Sequence, residues 1–303
     1  MGGCFERICY SMKMKRKGII LLGGHGSRLY PITKSLNKHL LPIYDKPMIY
    51  YSLSVLMLAG IREILFITNP EDLCIYKKFF SDGSKLGLKI EYKVQPKPRG
   101  IAEAFIIGEK FLDNKPSALV LGDNIFYGNN LSKILQKANL RKKGATVFAY
   151  SVNDPSRYGV LELNKSKKII SIKEKPKKPK SNYAVTGLYF YDQKVIKYAK
   201  EIKPSERGEL EITDINKKYL ENKNLNVELL ERGHAWLDTG TNKSLIEASL
   251  FISNIQERQG LKISCIEEIA FKKKFITKKQ LLQIANSMKN SEYGNYLKKI
   301  SSY

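Results

Sequence analysis

The sequence predicts an open, mostly parallel α/β sheet with helices on both faces, continued by a β-rich part and closed by C-terminal helices. Three observations predict it. Short apolar runs recur at Lys17–Leu22, Glu63–Thr68 and residues 118–121, as strands buried on both faces require. Helical spacing fills the intervals, so strand and helix alternate through about the first 145 residues. The 303 residues, 43% of them hydrophobic, are enough to bury one large core, and no internal repeat or low-complexity tract breaks them up.

The first run, Lys17–Leu22 (KGIILL), leads directly into Gly23, Gly24, His25, Gly26, Ser27 and Arg28. Asp45 and Pro47 stand at N-cap and N1 spacing before an apolar stretch that ends at Gly60, which predicts a helix with a start and a stop. Glu63–Thr68 (EILFIT) is the second buried strand. Leu88, Ile90, Tyr92 and Val94 alternate with Lys89, Glu91 and Lys93, the period of a half-buried strand, and residues 101–112 return to helical spacing. Residues 118–121 run into Gly122, Asp123 and Asn124. Ligands of such sheets collect outside the carboxyl ends of the strands, where both the glycine-rich turn and this Gly-Asp-Asn fall. From 145 to 191 the pattern becomes β-rich with polar turns, one of them at 173–180 (KEKPKKPK). Residues 209–219 read as helical, Leu225–Leu230 as extended, and the chain from about 241 as mainly helical with a break at Gly260.

Charge and cysteine content narrow the function classes. Lys and Arg number 53 against 29 Asp and Glu, a net charge of +24. Only 10 of the cations are Arg, and the lysines are scattered rather than striped, whereas nucleic-acid readers favour the planar guanidinium. The reading is therefore no nucleic-acid partner, but a positive field that draws small anions into a cleft. No stretch of 18 apolar residues exists; the richest, residues 48–61, is interrupted by Ser52 and Ser54, so no membrane span is expected. Cys4, Cys9, Cys74 and Cys265 form no CxxC pair, which argues against a disulfide scaffold or zinc site and fits a reducing cytoplasm. Residues 1–13, with Met1 and Met12 but no long apolar segment, are expected to be an extension outside the fold.

Three glycines in four positions let backbone approach a phosphate closely. The turn is neither a Walker loop nor GxGxxG, and alone it would be structural as often as ligand-binding. Arg28 and Lys38, both able to reach the same phosphates, strengthen it. His25, His39 and His234 have no triad context and read as ordinary polar contacts. Asp123, at a strand end, is a ligand candidate in its own right; Asp238 alone would be a turn residue. Glu174 and Lys175 alone would be an exposed loop pair.

The stretch Gly23-Gly24-x-Gly26-Ser27-Arg28-Leu29-x-Pro31-x-Thr33, with Lys38 before Leu41-Pro42, resembles the signature of the sugar-nucleotide pyrophosphorylase family. Within that family, segments 42–51, 121–128, 181–189 and 235–241 are similar to members acting on dTTP and glucose 1-phosphate, in order and over nearly the full chain. The resemblance implies a Rossmann-like nucleotidyltransferase fold: a catalytic domain at 14–240, with a nucleotide half at about 14–145 and a sugar-binding half at about 146–240. It implies an oligomerisation and regulatory region at 241–303. It implies Mg2+ on Asp123 and Asp238; catalytic Arg28, Lys38 and Lys175; nucleotide binding by Gly23, Gly24, Gly26, Ser27, Gln95 and Gly100; and sugar binding by Tyr158, Gly159, Glu174 and Val185. It further implies a cytoplasmic homotetramer, feedback inhibition by an end-product sugar nucleotide, and deoxysugar supply such as dTDP-rhamnose for surface polysaccharide. A uridylyl- or cytidylyltransferase for another sugar phosphate, or an idle sugar-nucleotide sensor, is the rival expectation.

Some positions depart from the family pattern. Leu22 replaces a usual Ala, and is expected to crowd the backbone that approaches the nucleotide. His25 and Ser27 alter the turn. His39, Arg99 and Glu103 stand where Gln, Asp and Gln are usual.

Overall fold

The computed structural model describes residues 15–302; the expected extension at 1–13, with Cys4 and Cys9, lies outside the described residues. In chain order the strands are β1 (Lys17–Leu22), β2 (Pro42–Ile43), β3 (Lys46–Pro47), β4 (Glu63–Thr68), β5 (Lys89–Val94), β6 (Ser117–Leu121), β7 (Asn124–Gly128), β8 (Ala145–Ser151), β9 (Gly159–Leu163), β10 (Ile169–Glu174), β11 (Tyr183–Tyr191), β12 (Leu225–Leu230) and β13 (His234–Asp238). Among the described residues, nine of them form one sheet in the order β10-β9-β11-β6-β1-β4-β5, with β8 on β11 and β12 on β8. The β6-β1-β4-β5 part is parallel, as is the β8–β12 pair. β11 runs antiparallel to β6, β8 and β9. The sheet is therefore mixed, and its parallel part joins the β-rich part through the β6–β11 seam.

β1, β4 and β6 are mainly apolar because both faces are covered, whereas the edge strand β5 alternates and exposes Lys89 and Lys93. Alternate residues enter different cores: Ile20, Leu22, Ile64 and Phe66 pack with the helix Ile49–Leu58 and the C-terminal helices. Ile19, Leu65 and Ile67 pack with Phe105, Tyr191 and Tyr219 on the other face. A third cluster, Ile43, Met48, Tyr51, Ile125, Ala248 and Ile252, lies under the long helix Asn242–Gln259. That helix begins on a Thr241–Ser244 capping box and ends at Gly260, the expected break. No helix among the described residues is long and apolar enough to cross a membrane.

Three helix boundaries differ from the sequence reading. The first helix begins at Ile49, not at Pro47. Pro47 belongs to the short β2–β3 hairpin, and the Asp45 carboxylate is spent on Lys46, Lys262 and Gln256 instead of capping. Residues 101–112 form two short helices, Glu103–Ile107 and Glu109–Leu112, divided at Gly108. The helix expected from Glu209 starts at Ile212 and runs to Glu221, since residues 209–211 serve as an extended approach tied to Ser205 and Arg207.

Candidate functional site

Four strands of the parallel part end at one edge of the sheet and deliver the first site residues. β1 ends at Leu22, before the glycine-rich turn; β4 ends at Thr68, before Asn69; β5 ends at Val94, before Gln95; β6 ends at Leu121, before Asp123. The turn itself is held from outside. The Asn69 side chain accepts from the Gly24 amide at 3.1 Å and donates to the Gly24 carbonyl at 3.3 Å. Asp72 accepts from Asn69 at 3.2 Å and from Asn37 at 2.5 Å, and Tyr76 donates to Asn37 at 2.8 Å. Thr33 donates to the Gly26 carbonyl at 2.8 Å.

Asp123 and Asp238 are brought together by the antiparallel β7–β13 ribbon, in which Asp238 pairs with Asn124. Thr239 closes the corner, donating to the Asp123 carbonyl through its amide at 3.1 Å and its hydroxyl at 2.8 Å. Lys38 donates to Asp123 Oδ2 at 2.5 Å. Asn124 Nδ2 donates to the other Asp123 oxygen at 3.0 Å, while Asn124 Oδ1 accepts from the Gly187 amide at 2.9 Å and from Trp236 Nε1 at 2.6 Å. One side-chain amide thus ties β7, β11 and β13 to the carboxylate.

The two carboxylates have different electrostatics. Burial by itself would raise the Asp123 carboxyl, but the Lys38 charge and the hydrogen bonds from Lys38 and Asn124 outweigh it and hold the group well below the usual carboxylate range. The Asp238 carboxyl is raised, by burial first and then by the Asp123 charge, against the weaker pull of Lys38, Arg157 and Arg28. Tyr158 donates to Asp238 at 3.3 Å. Among the described residues no group of three or more His, Cys, Asp and Glu side chains is gathered to hold a metal. Two oxygen-donor carboxylates fit magnesium, which takes a few carboxylates and fills its shell with phosphate oxygens and water.

A cavity of about 470 Å³ joins these groups to the β-rich part. Of the expected site residues it is lined by Arg28, Asp123, Asp238, Tyr158, Gly159, Glu174, Lys175 and Val185. Glu174 accepts from Thr213 at 2.6 Å, and its other oxygen lies 3.8 Å from both Lys175 Nζ and Arg207. Lys175 has a left-handed φ of 39°, and its amide is fixed on the Tyr158 carbonyl at 3.0 Å. Lys38 reaches the cavity through Asp123.

Gly23, Gly24, Gly26, Ser27, Gln95 and Gly100 do not line that cavity; they form an adjoining group. Gln95 donates to Glu103 at 2.8 Å and to the Gly100 carbonyl at 3.3 Å. At Gly100 a Cβ would lie 2.4 Å from the Leu210 carbonyl oxygen, so close approach of the 99–102 segment to Leu210 accounts for glycine there. The Leu22 expectation is corrected. Its side chain is fully buried in the core, and a Cβ at Gly122 would meet Leu22 at 2.7 Å and His39 at 2.6 Å. The absence of a Cβ at Gly122 leaves room for both side chains. His39 is an ordinary polar contact, bonded to Asn37 at 2.9 Å; burial and then the Lys38 charge push its imidazole down to about 3, so it stays neutral.

Sequence reasoning missed the residues that hold the site: Asn37, Asn69 and Asp72 around the turn, Asn124 beneath the carboxylates, and Arg157, Arg207 and Thr213 beside the cavity. Asn69 had a usable signal, since it follows a buried strand at its ligand end. Asn124 and Trp236 stood inside the Gly-Asp-Asn and Ala-Trp-Leu-Asp segments without being given a role.

The fold and this edge of the sheet define a class. The family model described as nucleotidyl transferase matches residues 17–255, and the chain belongs to that family. A Xanthomonas campestris glucose-1-phosphate thymidylyltransferase is 58% identical over 283 residues, covering 93% of this chain and 96% of its own length. The Neisseria meningitidis protein of the same name is 56% identical over 281 residues, covering 93% and 98%. A Bacillus anthracis structure of that description, in complex with sucrose, superposes with a TM-score of 0.72 at 47% identity, over 78% of this chain and 94% of that one. A UDP-glucose pyrophosphorylase bound to UDP-glucose gives 0.69 at 26% identity, over 80% and 100%. Within its family, the chain sits among the glucose-1-phosphate thymidylyltransferases.

Proposed function

We propose that the chain transfers a deoxythymidylyl group from dTTP to α-D-glucose 1-phosphate, giving dTDP-glucose and pyrophosphate by a magnesium-dependent, in-line single displacement. The observation that carries the reading is the convergence of Asp123, Asp238, Arg28 and Lys175 on one cavity, with Lys38 bonded to Asp123 behind it. The identity of 58% to a thymidylyltransferase, against 26% to a UDP-glucose pyrophosphorylase, favours dTTP over UTP.

Both reactants are polyanions, so the chemistry needs positioning and charge compensation more than a covalent nucleophile. An oxygen of the sugar phosphate forms a bond to the α-phosphorus while the α–β anhydride bond breaks, its electron pair leaving with pyrophosphate. One anhydride is exchanged for another, so the reaction runs in both directions. In this reading the amides of the turn at Gly23, Gly24, Gly26 and Ser27 face the triphosphate, and Arg28 and Lys38 neutralise it. Lys175 holds the sugar phosphate, and Glu174 accepts from sugar hydroxyls beside Tyr158, Gly159 and Val185. Magnesium, when bound, would be held by Asp123 and Asp238 and would supply positive charge to the crowded phosphates.

The same reading gives residues 241–303 an oligomerisation and regulatory role in a homotetramer inhibited by an end-product sugar nucleotide, with supply of dTDP-rhamnose as its setting. Exposed Ile246 and Leu250 on the helix Asn242–Gln259 support it; sedimentation of the purified chain tests it. Pyrophosphate release across four triphosphates and several hexose 1-phosphates, with and without magnesium, tests the activity. The expected result is the largest kcat/KM with dTTP and glucose 1-phosphate and no release without the metal. Preference for another pair, or no release with any, would overturn it.

A further inference from the structure

We infer that Glu103 sets the base specificity of the nucleotide site by fixing the side-chain amide of Gln95, so that only its oxygen meets the base. The inference rests on the reading of Gln95 as the residue at the pyrimidine edge.

Gln95 is buried at the end of β5, and its Nε2 faces two groups: Glu103 Oε2 at 2.8 Å and the Gly100 carbonyl at 3.3 Å. A carboxylate and a backbone carbonyl only accept, so the atom of Gln95 that faces them has to be its NH2 group. Orientation of an amide is ordinarily ambiguous, and here two acceptors on the same side decide it. Both Nε2 hydrogens are thereby consumed within the protein. Gln95 Oε1 accepts no hydrogen bond among the described residues and lies against the glycine-rich turn, 3.0 Å from where a Cβ on Gly23 would stand.

The consequence is a one-sided reader. An amide that turned freely could donate or accept and would match several bases. Held by Glu103, it offers an acceptor alone. Thymine and uracil present the N3–H donor that satisfies it; cytosine presents a lone pair at N3 and meets lone pair with lone pair. A site that leaves a buried polar group unpaired against the wrong ligand rejects that ligand far more strongly than a missing apolar contact would. Glu103 is therefore a positioning residue. Its other oxygen is steadied by Arg99 at 3.8 Å, an ion pair with one exposed partner and little weight of its own.

The test compares kcat/KM for dTTP and dCTP in the full-length chain and in Glu103→Leu, Glu103→Gln and Gln95→Leu. Thermal melting and glucose 1-phosphate binding confirm that each variant is folded. Glu103→Leu, which removes the acceptor, is expected to lower the dTTP-to-dCTP ratio by about tenfold or more, the size of one well-formed hydrogen bond. Glu103→Gln keeps an acceptor oxygen and is expected to hold the ratio within about threefold. N3-methyl-dTTP, which lacks the donor, should be a poor substrate of the unaltered protein. If Gln95→Leu collapses the ratio while Glu103→Leu preserves it, the role of Glu103 is overturned and that of Gln95 stands. An unchanged ratio in Gln95→Leu overturns the base reading and this inference together. Equal loss in Glu103→Leu and Glu103→Gln would also overturn it, because the acceptor would then not be the cause.

Discussion

The glycine-rich turn and the cavity beside the β-rich part of this molecule are built in opposite ways. The parallel strand β1 ends in the glycine-rich turn, and Asn69, braced by Asp72 and through it by Asn37, holds that turn by the Gly24 backbone. Beside the cavity, side chains meet directly: Glu174 at the end of β10 is set between Lys175, Thr213 of the helix Ile212–Glu221 and Arg207 of the loop before that helix. A phosphate cradle needs free amides and rigid backbone, so its fixing contacts come from elsewhere. A hydroxyl-rich ligand needs the side chains themselves. Asp123 and Asp238 stand at the boundary, one held low by Lys38 and the other raised by its neighbour.

Substitutions at the boundary are expected to have the largest effect. Asp123→Asn and Asp238→Asn should each lower kcat by about 10²- to 10³-fold, the range seen when a preorganised electrostatic group is lost. Steady-state assays at saturating magnesium check this, and an effect under about tenfold at either residue would remove it from the proposed centre.

Changes at the proposed sugar contacts should separate from changes at the proposed nucleotide contacts. Lys175→Ala is expected to raise KM for glucose 1-phosphate by about tenfold or more, the value of a charge-assisted contact, with little change in KM for dTTP. Asn69→Ala should show the reverse, raising KM for dTTP as Gly24 loses both its ties. Equal shifts in both substrates for both variants would erase the distinction.

Stability should also divide the two carboxylates. Asp123, lowered when folded, stabilises the protein above its unfolded value of about 4 and loses that contribution as pH falls. Asp238, raised when folded, acts in the opposite sense: its contribution is present at low pH and is lost as pH rises through the folded value. At pH 7, Asp123→Asn should therefore lower Tm, by several degrees for a loss of about 2 kcal/mol. Asp238→Asn should leave Tm unchanged or raise it. The gap between the two variants should narrow below about pH 4, as melting curves across that range would show.

The smallest expected effect is at the brace. Trp236→Phe removes one hydrogen bond to Asn124 and should cost about 1 kcal/mol, with a modest fall in kcat as Asp123 loses part of its support.

Regular structure was legible where both faces of a strand are buried: Lys17–Leu22 and Glu63–Thr68 match the apolar runs residue for residue, and the half-buried Leu225–Leu230 matches its extended run as well. Boundaries failed where a side chain had a distant use. Asp45 looks like a cap in sequence, but its partners Gln256 and Lys262 lie 211 and 217 positions away. Gly108 divides an apparently continuous helical pattern because its neighbours on the strands crowd it: a Cβ there would lie 3.2 Å from Ile19 and 3.3 Å from Leu65. The groups expected to touch reactants stood in motifs. The groups that hold them did not, because Asn37, Asn69 and Asp72 are single polar residues whose partnership exists only after β1 and β4 pair.

In the proposed function Asp123 and Asp238 share one divalent ion. Crystals soaked with dTDP-glucose and manganese, measured at an anomalous wavelength, test it most directly. The expected result is a single strong peak within bonding distance of both carboxylates and of a product phosphate oxygen. A peak bound by neither carboxylate, or product seated with both side chains turned away from it, would contradict it.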